Sequence, residues 1–225
     1  MNNHGEDGRR DFTWHEFDAE TFLPRGWAEQ VTSFALEASE MKVLVPTSVT
    51  SREASSDIAI PILTIGGVKI KESLRWLFDL YRGTFRDLGQ TCVNEPLLIG
   101  ADERHAIVIN AQRGTNMRYE CHVDTNPLSG LLFVTSHPPG NGGELVVANK
   151  PAAVGVEDIG RDCKMIYPDS GKMIFFDARE HPHFVRPLRD PFGVRVVVVM
   201  NFYTPSGPES DRPKDLTFHM FGRDR

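Results

Sequence analysis

Residues 172–204 read KMIFFDAREHPHFVRPLRDPFGVRVVVVMNFYT. Two apolar runs, KMIFFD and VRVVVVMNFYT, flank a stretch in which Pro, Asp and Gly recur. Short runs rich in Val, Ile and Phe and bounded by turn residues predict β-strands. The same texture extends upstream. HAIVIN (105–110), GLLFVT (130–135) and ELVVAN (144–149) alternate with the turn clusters HPPGNGG (137–143) and PDSG (168–171), and PFG (191–193) closes the series. This spacing predicts a mainly β fold, a sandwich or jelly roll, with helices from the first half covering one sheet. HPPGNGG reads as a tight turn, because no helix follows it to make a phosphate loop.

Upstream of residue 105 the period changes. Residues 27–41, WAEQVTSFALEASEM, contain good helix formers and predict a helix. In 73–88, Leu74, Leu77, Phe78, Tyr81, Phe85 and Leu88 fall on one helical face. Ser73 is the expected cap of that helix and Gly89 its expected end. Residues 45–58 read as a loop, IAIPILTI (58–65) is apolar but broken by Pro61, and Gly66-Gly67 turns the chain. Residues 207–215 read as loop, LTFHMF (216–221) as a last short strand, and residues 1–12 as a frayed polar end. The expectation is a single domain over 1–225. A helical and mixed part (1–104) packs on a β core (105–204), and a tail (205–225) follows.

Bulk properties narrow the function. The chain has 225 residues, 40% of them hydrophobic, and a net charge of −6. Those values suit one globular domain with a sizeable core. No Lys/Arg cluster supplies the basic face of a nucleic-acid binder, and no apolar run is long enough to span a bilayer, which takes about 20 residues. Three cysteines (Cys92, Cys121 and Cys163) without CxxC spacing suit neither a disulfide framework nor a zinc site. A reducing cytoplasm is the expected setting.

The chemistry centres on Tyr119-Glu-Cys-His122-Val-Asp124. In a strand, side chains two apart share a face, so His122 and Asp124 can both point into a barrel. An imidazole and a carboxylate suit Fe(II). A second imidazole would complete a facial triad that leaves coordination positions open for oxygen chemistry. His183, after the strand MIFFD, fits that role, with His181 as its competitor. Arg195 opens an otherwise apolar strand, and a cation placed there demands a partner. A two-pronged grip on a carboxylate is the natural explanation. Arg189 is the alternative cation but falls in the turn RPLRDPFG.

The ordered set HxD, Gly142-Gly143-Glu144-Leu145, FFD, H-x-V-x-P and Arg resembles the iron(II)/2-oxoglutarate-dependent dioxygenase superfamily, in its prolyl-4-hydroxylase-like branch. The resemblance covers roughly residues 105–204. It implies a double-stranded β-helix (jelly roll) core and makes His122, Asp124 and His183 the catalytic iron ligands. It makes Arg195 the 2-oxoglutarate anchor and places Tyr119 in the pocket wall. The implied cofactors are Fe(II), 2-oxoglutarate as co-substrate and dioxygen, with ascorbate as reductant. Two departures stand out. Gln112 and Arg113 occupy the place where many prolyl hydroxylases carry a Tyr, and the anchor is Arg where many carry Lys. HVDTNPLSGLL and the NFYT after the anchor are similar to small stand-alone hydroxylases of free amino acids. Halogenating members of that group have Gly or Ala in place of the carboxylate ligand, so Asp124 implies hydroxylation.

The expected activity is therefore hydroxylation of an unactivated C–H of a small molecule, most simply a free amino acid. Asn126, Asn201 and Arg113 are candidate substrate contacts. His4, His15, His105, His137 and His219 have no partner spacing and read as incidental. The alternatives are a prolyl or peptidyl hydroxylase, a non-catalytic jelly-roll binding module, and a cupin-type metal enzyme that would leave Arg195 without a role.

Overall fold

The structure, a computed structural model, describes residues 11–44 and 48–221. The expectations for residues 1–10, including His4, and for 45–47 and 222–225 lie outside the described residues.

The chain begins with β1 (His15–Asp18), α1 (Trp27–Ala38), β2 (Glu40–Leu44) and β3 (Ile60–Gly66). A helical run follows: α2 (Gly67–Ser73), α3 (Arg75–Leu80), a π-helical turn (Tyr81–Phe85) and α4 (Arg86–Gln90). Then come β4 (Leu98–Ile99), α5 (Glu103–Ala106), β5 (Ile107–Arg113), β6 (Leu128–Phe133) and β7 (Leu145–Ala148). The last elements are α6 (Gly155–Arg161), β8 (Cys163–Ile166), β9 (Lys172–Phe176), β10 (His183–Val185), β11 (Val194–Tyr203) and α7 (Leu216–Phe221).

The strands form two antiparallel sheets. The larger runs β1-β9-β6-β11-β5-β3-β2, with β4 beside the end of β11, and the smaller runs β10-β7-β8. The segment around His122 extends the smaller sheet through a bridge between His122 and His183. This is the jelly-roll arrangement with flanking helices.

Both faces of the larger sheet are covered, which explains why β11 is apolar almost throughout rather than alternating. Val196, Val198, Met200 and Phe202 face the helices and pack with Leu77, Tyr81 and Phe85. Arg195, Val197, Val199, Asn201 and Tyr203 face the space between the sheets. Tyr81 ties the two layers: its hydroxyl donates to the Asn201 carbonyl (3.0 Å) and accepts from the Gly100 N–H (2.9 Å).

The helix expected over 27–41 ends at Ala38, where β2 takes over, and Phe12, in the end expected to be frayed, is buried; four further departures have a plain physical cause. IAIPILTI forms a strand despite Pro61. Pairing with β5 runs only from Leu63 to Gly66, so Pro61 stands beyond it and its missing N–H interrupts no ladder on that side. The helix expected from Ser73 starts at Arg75, because a separate helix α2 precedes it and the chain breaks at Leu74; Ser73 ends α2 instead of capping α3, and Gly67 opens α2 where a Cβ would lie 2.0 Å from the Glu103 carbonyl oxygen. The strand expected from His105 begins at Ile107, since Asp102 caps a short helix through the Arg104 N–H (3.1 Å). LTFHMF is helical rather than a strand, its first turn closed by the His219 N–H to the Asp215 carbonyl (2.8 Å).

Candidate active site

His122, Asp124 and His183 meet between the two sheets. Their ligand atoms all lie within 4.8 Å of one another. Asp124 Oδ1 is 3.6 Å from His122 Nε2 and 3.7 Å from His183 Nε2. Residues 119–122 are extended although not a continuous strand. The Tyr119 N–H donates to the Val185 carbonyl, and His122 and His183 exchange backbone hydrogen bonds (3.0 and 2.9 Å). That pairing sets two imidazoles from distant parts of the chain side by side, with ring centroids 4.2 Å apart.

Hydrogen bonds orient each donor. His122 Nδ1 lies 2.8 Å from the Glu120 carbonyl oxygen, and His183 Nδ1 lies 2.9 Å from that of His181. A carbonyl only accepts, so both rings carry their proton on Nδ1 and present the Nε2 lone pair inward. Asp124 Oδ2 accepts from the Ser129 hydroxyl, and Ser129 accepts from the Asn126 amide (2.9 Å). Burial holds His183 well below the ordinary histidine value and keeps it neutral.

Three donors at about 2.1 Å from one ion, at right angles, would be about 3 Å apart. The observed spacings are slightly wider, so closure on an ion takes small side-chain movements. Two neutral nitrogens and one carboxylate are the donor set that suits Fe(II) with positions left open. His181, the competing imidazole, lies elsewhere: its Nδ1 is 3.0 Å from the Ala148 carbonyl oxygen and its ring packs on Phe12.

The triad lines a cavity of about 130 Å³. Arg195 stands at one end of it and is 2% exposed. Its Nε donates to the Gly143 carbonyl (2.7 Å), while Nη2 has no partner. Burial lowers its pKa to about 10, so it stays cationic at neutral pH. The Gly142-Gly143 pair explains the room around it. Both have positive φ, a Cβ at 142 would lie 2.2 Å from the Pro187 carbonyl oxygen, and one at 143 would press on Arg195 Cδ at 3.2 Å. An unpartnered buried guanidinium nitrogen facing a cavity calls for an anion. A dicarboxylate reaching from the triad to Arg195 fits that demand.

The far end is closed by the C-terminal helix. Leu216, His219 and Met220 of α7 line the cavity there. His219 Nε2 is 2.6 Å from Glu120 Oε2, and the Tyr119 hydroxyl reaches Met220 Sδ at 3.4 Å. His105 Nε2 lies 3.0 Å from the Thr217 hydroxyl and packs edge-on against Phe221. Arg212 bonds Asp102 (2.7 Å) and Glu209 (3.2 Å).

Tyr119, Asn126 and Asn201 line the cavity, and the amide of each asparagine is engaged. Asn126 donates to the Leu128 carbonyl and to Ser129, and Asn201 donates to the His105 carbonyl (2.6 Å). Arg113 is not in the cavity. It sits at the exposed end of β5 and donates to the Leu36 carbonyl (3.1 Å), because α1 packs there. His105 and His219, read as incidental, are part of the cavity wall. Glu120 was also missed, although its place two residues before His122 puts it on the same face. Ser129 and His219 carried no signal in spacing, since helix and strand packing alone bring them in.

Comparisons with known proteins agree with this geometry. Residues 107–203 match the family described as the 2OG-Fe(II) oxygenase superfamily. No curated protein matches the chain. Among solved structures, an oxidoreductase of the 2OG-Fe(II) oxygenase family from Burkholderia pseudomallei is similar at 16% identity and a TM-score of 0.56, covering 84% of each chain. A prolyl hydroxylase from Trichoplax adhaerens, solved with a hypoxia inducible factor peptide fragment, is similar at 14% identity and a TM-score of 0.57, covering 86% of this chain and 84% of the other. The non-haem alpha-ketoglutarate-dependent epimerase SnoN from nogalamycin biosynthesis is similar at 13% identity and a TM-score of 0.56, covering 96% of this chain and 88% of the other. At these identities the likeness is one of fold. The matched segment contains strands of both sheets and all three converging metal donors, so residues 107–203 are similar to the 2OG-Fe(II) oxygenase superfamily in sequence and the chain shares its fold.

Proposed function

We propose that this dioxygenase hydroxylates an unactivated C–H bond of a small molecule, a free amino acid or related metabolite. His122, Asp124 and His183 hold Fe(II), and Arg195 grips the distal carboxylate of 2-oxoglutarate. The observation that carries the reading is the convergence of three oriented donors on one point of a cavity that ends in a guanidinium nitrogen without a partner. Bound there, iron with 2-oxoglutarate and dioxygen supplies the oxidising power, the co-substrate leaving as succinate and carbon dioxide.

The chain's own residues position and exclude. Glu120 and His181 carbonyls lock the two imidazoles, and Ser129 holds the second oxygen of Asp124. Asn126 acts through Ser129 and is a positioning residue. Leu131, Leu145, Phe176 and Val197 form apolar walls between the triad and Arg195, which keep water from the reacting centre. Tyr119 and Asn201 shape the substrate end.

The closure of the cavity by α7 favours a small substrate over a peptide, which needs an open groove. The second reading, a peptidyl hydroxylase, rests on the fold shared with the peptide-bound prolyl hydroxylase. No helix among the described residues is long and apolar enough to cross a membrane. The three free cysteines suit a reducing cytoplasm, where ascorbate would serve as reductant. The test offers free amino acids and proline-containing peptides in parallel to protein loaded with Fe(II), 2-oxoglutarate and ascorbate, and measures succinate. Stimulation by free amino acids is expected; stimulation by peptides alone would overturn the small-molecule reading.

A further inference from the structure

Glu120 is 2% exposed, lines the cavity on the same face as His122 and Asp124, and comes from the segment that carries both. One of its oxygens is taken by His219 at 2.6 Å. The other, Oε1, has no solvent contact and no partner at good hydrogen-bond geometry, the Ser51 hydroxyl being close enough only to help hold the carboxyl below its ordinary pKa. A buried carboxylate oxygen left without a donor is costly, and its presence beside a binding cavity points to a ligand that donates.

The surrounding charges say which kind of donor. Of the two arginines that line the cavity, Arg195 stands at the opposite end with its own open position, and Arg212 is already matched by Asp102 and Glu209. At the substrate end the negative charge of Glu120 is met by the His219 imidazole rather than by a guanidinium. With no guanidinium on Glu120, the site can take a further positive charge there. A neutral hydroxyl could donate to Oε1, but a cationic N–H makes the stronger bond to a carboxylate held away from water.

We propose that Glu120 is the specificity-determining residue of this oxygenase and that it receives a primary ammonium group of the substrate. His219 holds the carboxylate in place from α7, which closes behind the bound molecule. The proposal rests on the oxygenase reading and narrows its substrate to amine-bearing compounds.

The test uses the full chain with Fe(II), 2-oxoglutarate and ascorbate. Probes are the common free L-amino acids and their N-acetyl derivatives, and succinate release is measured over the substrate-free rate. At least one free amino acid should stimulate release by about tenfold, and its N-acetyl form, which lacks the cation, should not. In Glu120→Gln the KM for that amino acid should rise on the order of 100-fold while the KM for 2-oxoglutarate moves far less, as expected when one buried ion pair with the substrate is removed. Glu120→Asp keeps the charge and should recover part of the affinity, so the test survives if the Gln variant folds poorly. Equal stimulation by N-acetyl forms, an unchanged KM in Glu120→Gln, or no stimulation by any free amino acid would each overturn the proposal. Failure of the underlying reading looks different: wild-type protein would then bind neither Fe(II) nor 2-oxoglutarate, whatever third compound is offered.

Discussion

The two ends of the cavity are lined by the same face of β11, from Arg195 to Tyr203, yet they are built differently. At the triad end, the functional side chains sit on strands or extended segments cross-linked by backbone hydrogen bonds, and each is oriented by at least one bond to a carbonyl or to Ser129. At the far end the wall is a six-residue helix near the C-terminus, held by side chains: His219 on Glu120, Thr217 on His105, Phe221 beneath Arg104. Chemistry is thus placed on the rigid part, and recognition on a part that can open locally at small cost.

The largest effect should come from the rigid end. His183→Ala removes one of three donors and should lower 2-oxoglutarate-dependent succinate release to background, with bound iron lost in parallel. Turnover near wild type in that variant would remove His183 from the metal site. Next, Arg195→Met should raise the KM for 2-oxoglutarate about 100-fold, the equivalent of roughly 2–3 kcal/mol for a buried charge-assisted hydrogen bond. Arg195→Lys should recover only part, because an ammonium cannot reproduce the two-pronged geometry. Ser129→Ala should weaken iron binding by about 10–100-fold while leaving the fold intact, the usual effect of removing a hydrogen bond behind a metal ligand. Equilibrium dialysis against Fe(II) reads that change directly.

The smallest effect tests the far end and is one of pH. Burial, with Arg212 beside it, lowers His105 to about 4 from an ordinary value near 6.5. The folded protein therefore keeps this ring neutral, and its stability contribution is complete above about pH 6.5. As pH falls from about 6.5 toward 4, the unfolded chain takes up the proton first, and stability drops by at most about 1.4 kcal/mol per pH unit. Carboxylates elsewhere act in the same direction, so the readout is a difference. Urea unfolding of His105→Gln should depend on pH less steeply than that of wild type over this window, and equal slopes would contradict the assignment.

The same contrast explains what could be read in advance. The strands of the core announce themselves through Val, Ile and Phe between turn residues, and HxD followed by a histidine and an arginine at strand positions is legible because local alternation fixes which side chains share a face. Glu120 belongs to that alternation and was readable by the same rule. His105, Arg212 and His219 were not, because only the packing of α5 and α7 on the sheets brings them to one cavity. The six residues of α7 are too few to show a helical period, which is why LTFHMF passes for a strand. Pro61 misled in the opposite direction, since nothing local reveals that the pairing of β5 stops before it.

Everything proposed here depends on one ferrous ion among His122, Asp124 and His183, with 2-oxoglutarate spanning from it to Arg195. Crystals grown without oxygen in the presence of Fe(II) and 2-oxoglutarate, measured at the iron absorption edge, test it directly. A single anomalous peak is expected between Nε2 of His122, Nε2 of His183 and Oδ1 of Asp124, with the distal carboxylate of the co-substrate on the Arg195 guanidinium. An iron peak elsewhere, or a co-substrate carboxylate bound away from Arg195, would contradict it.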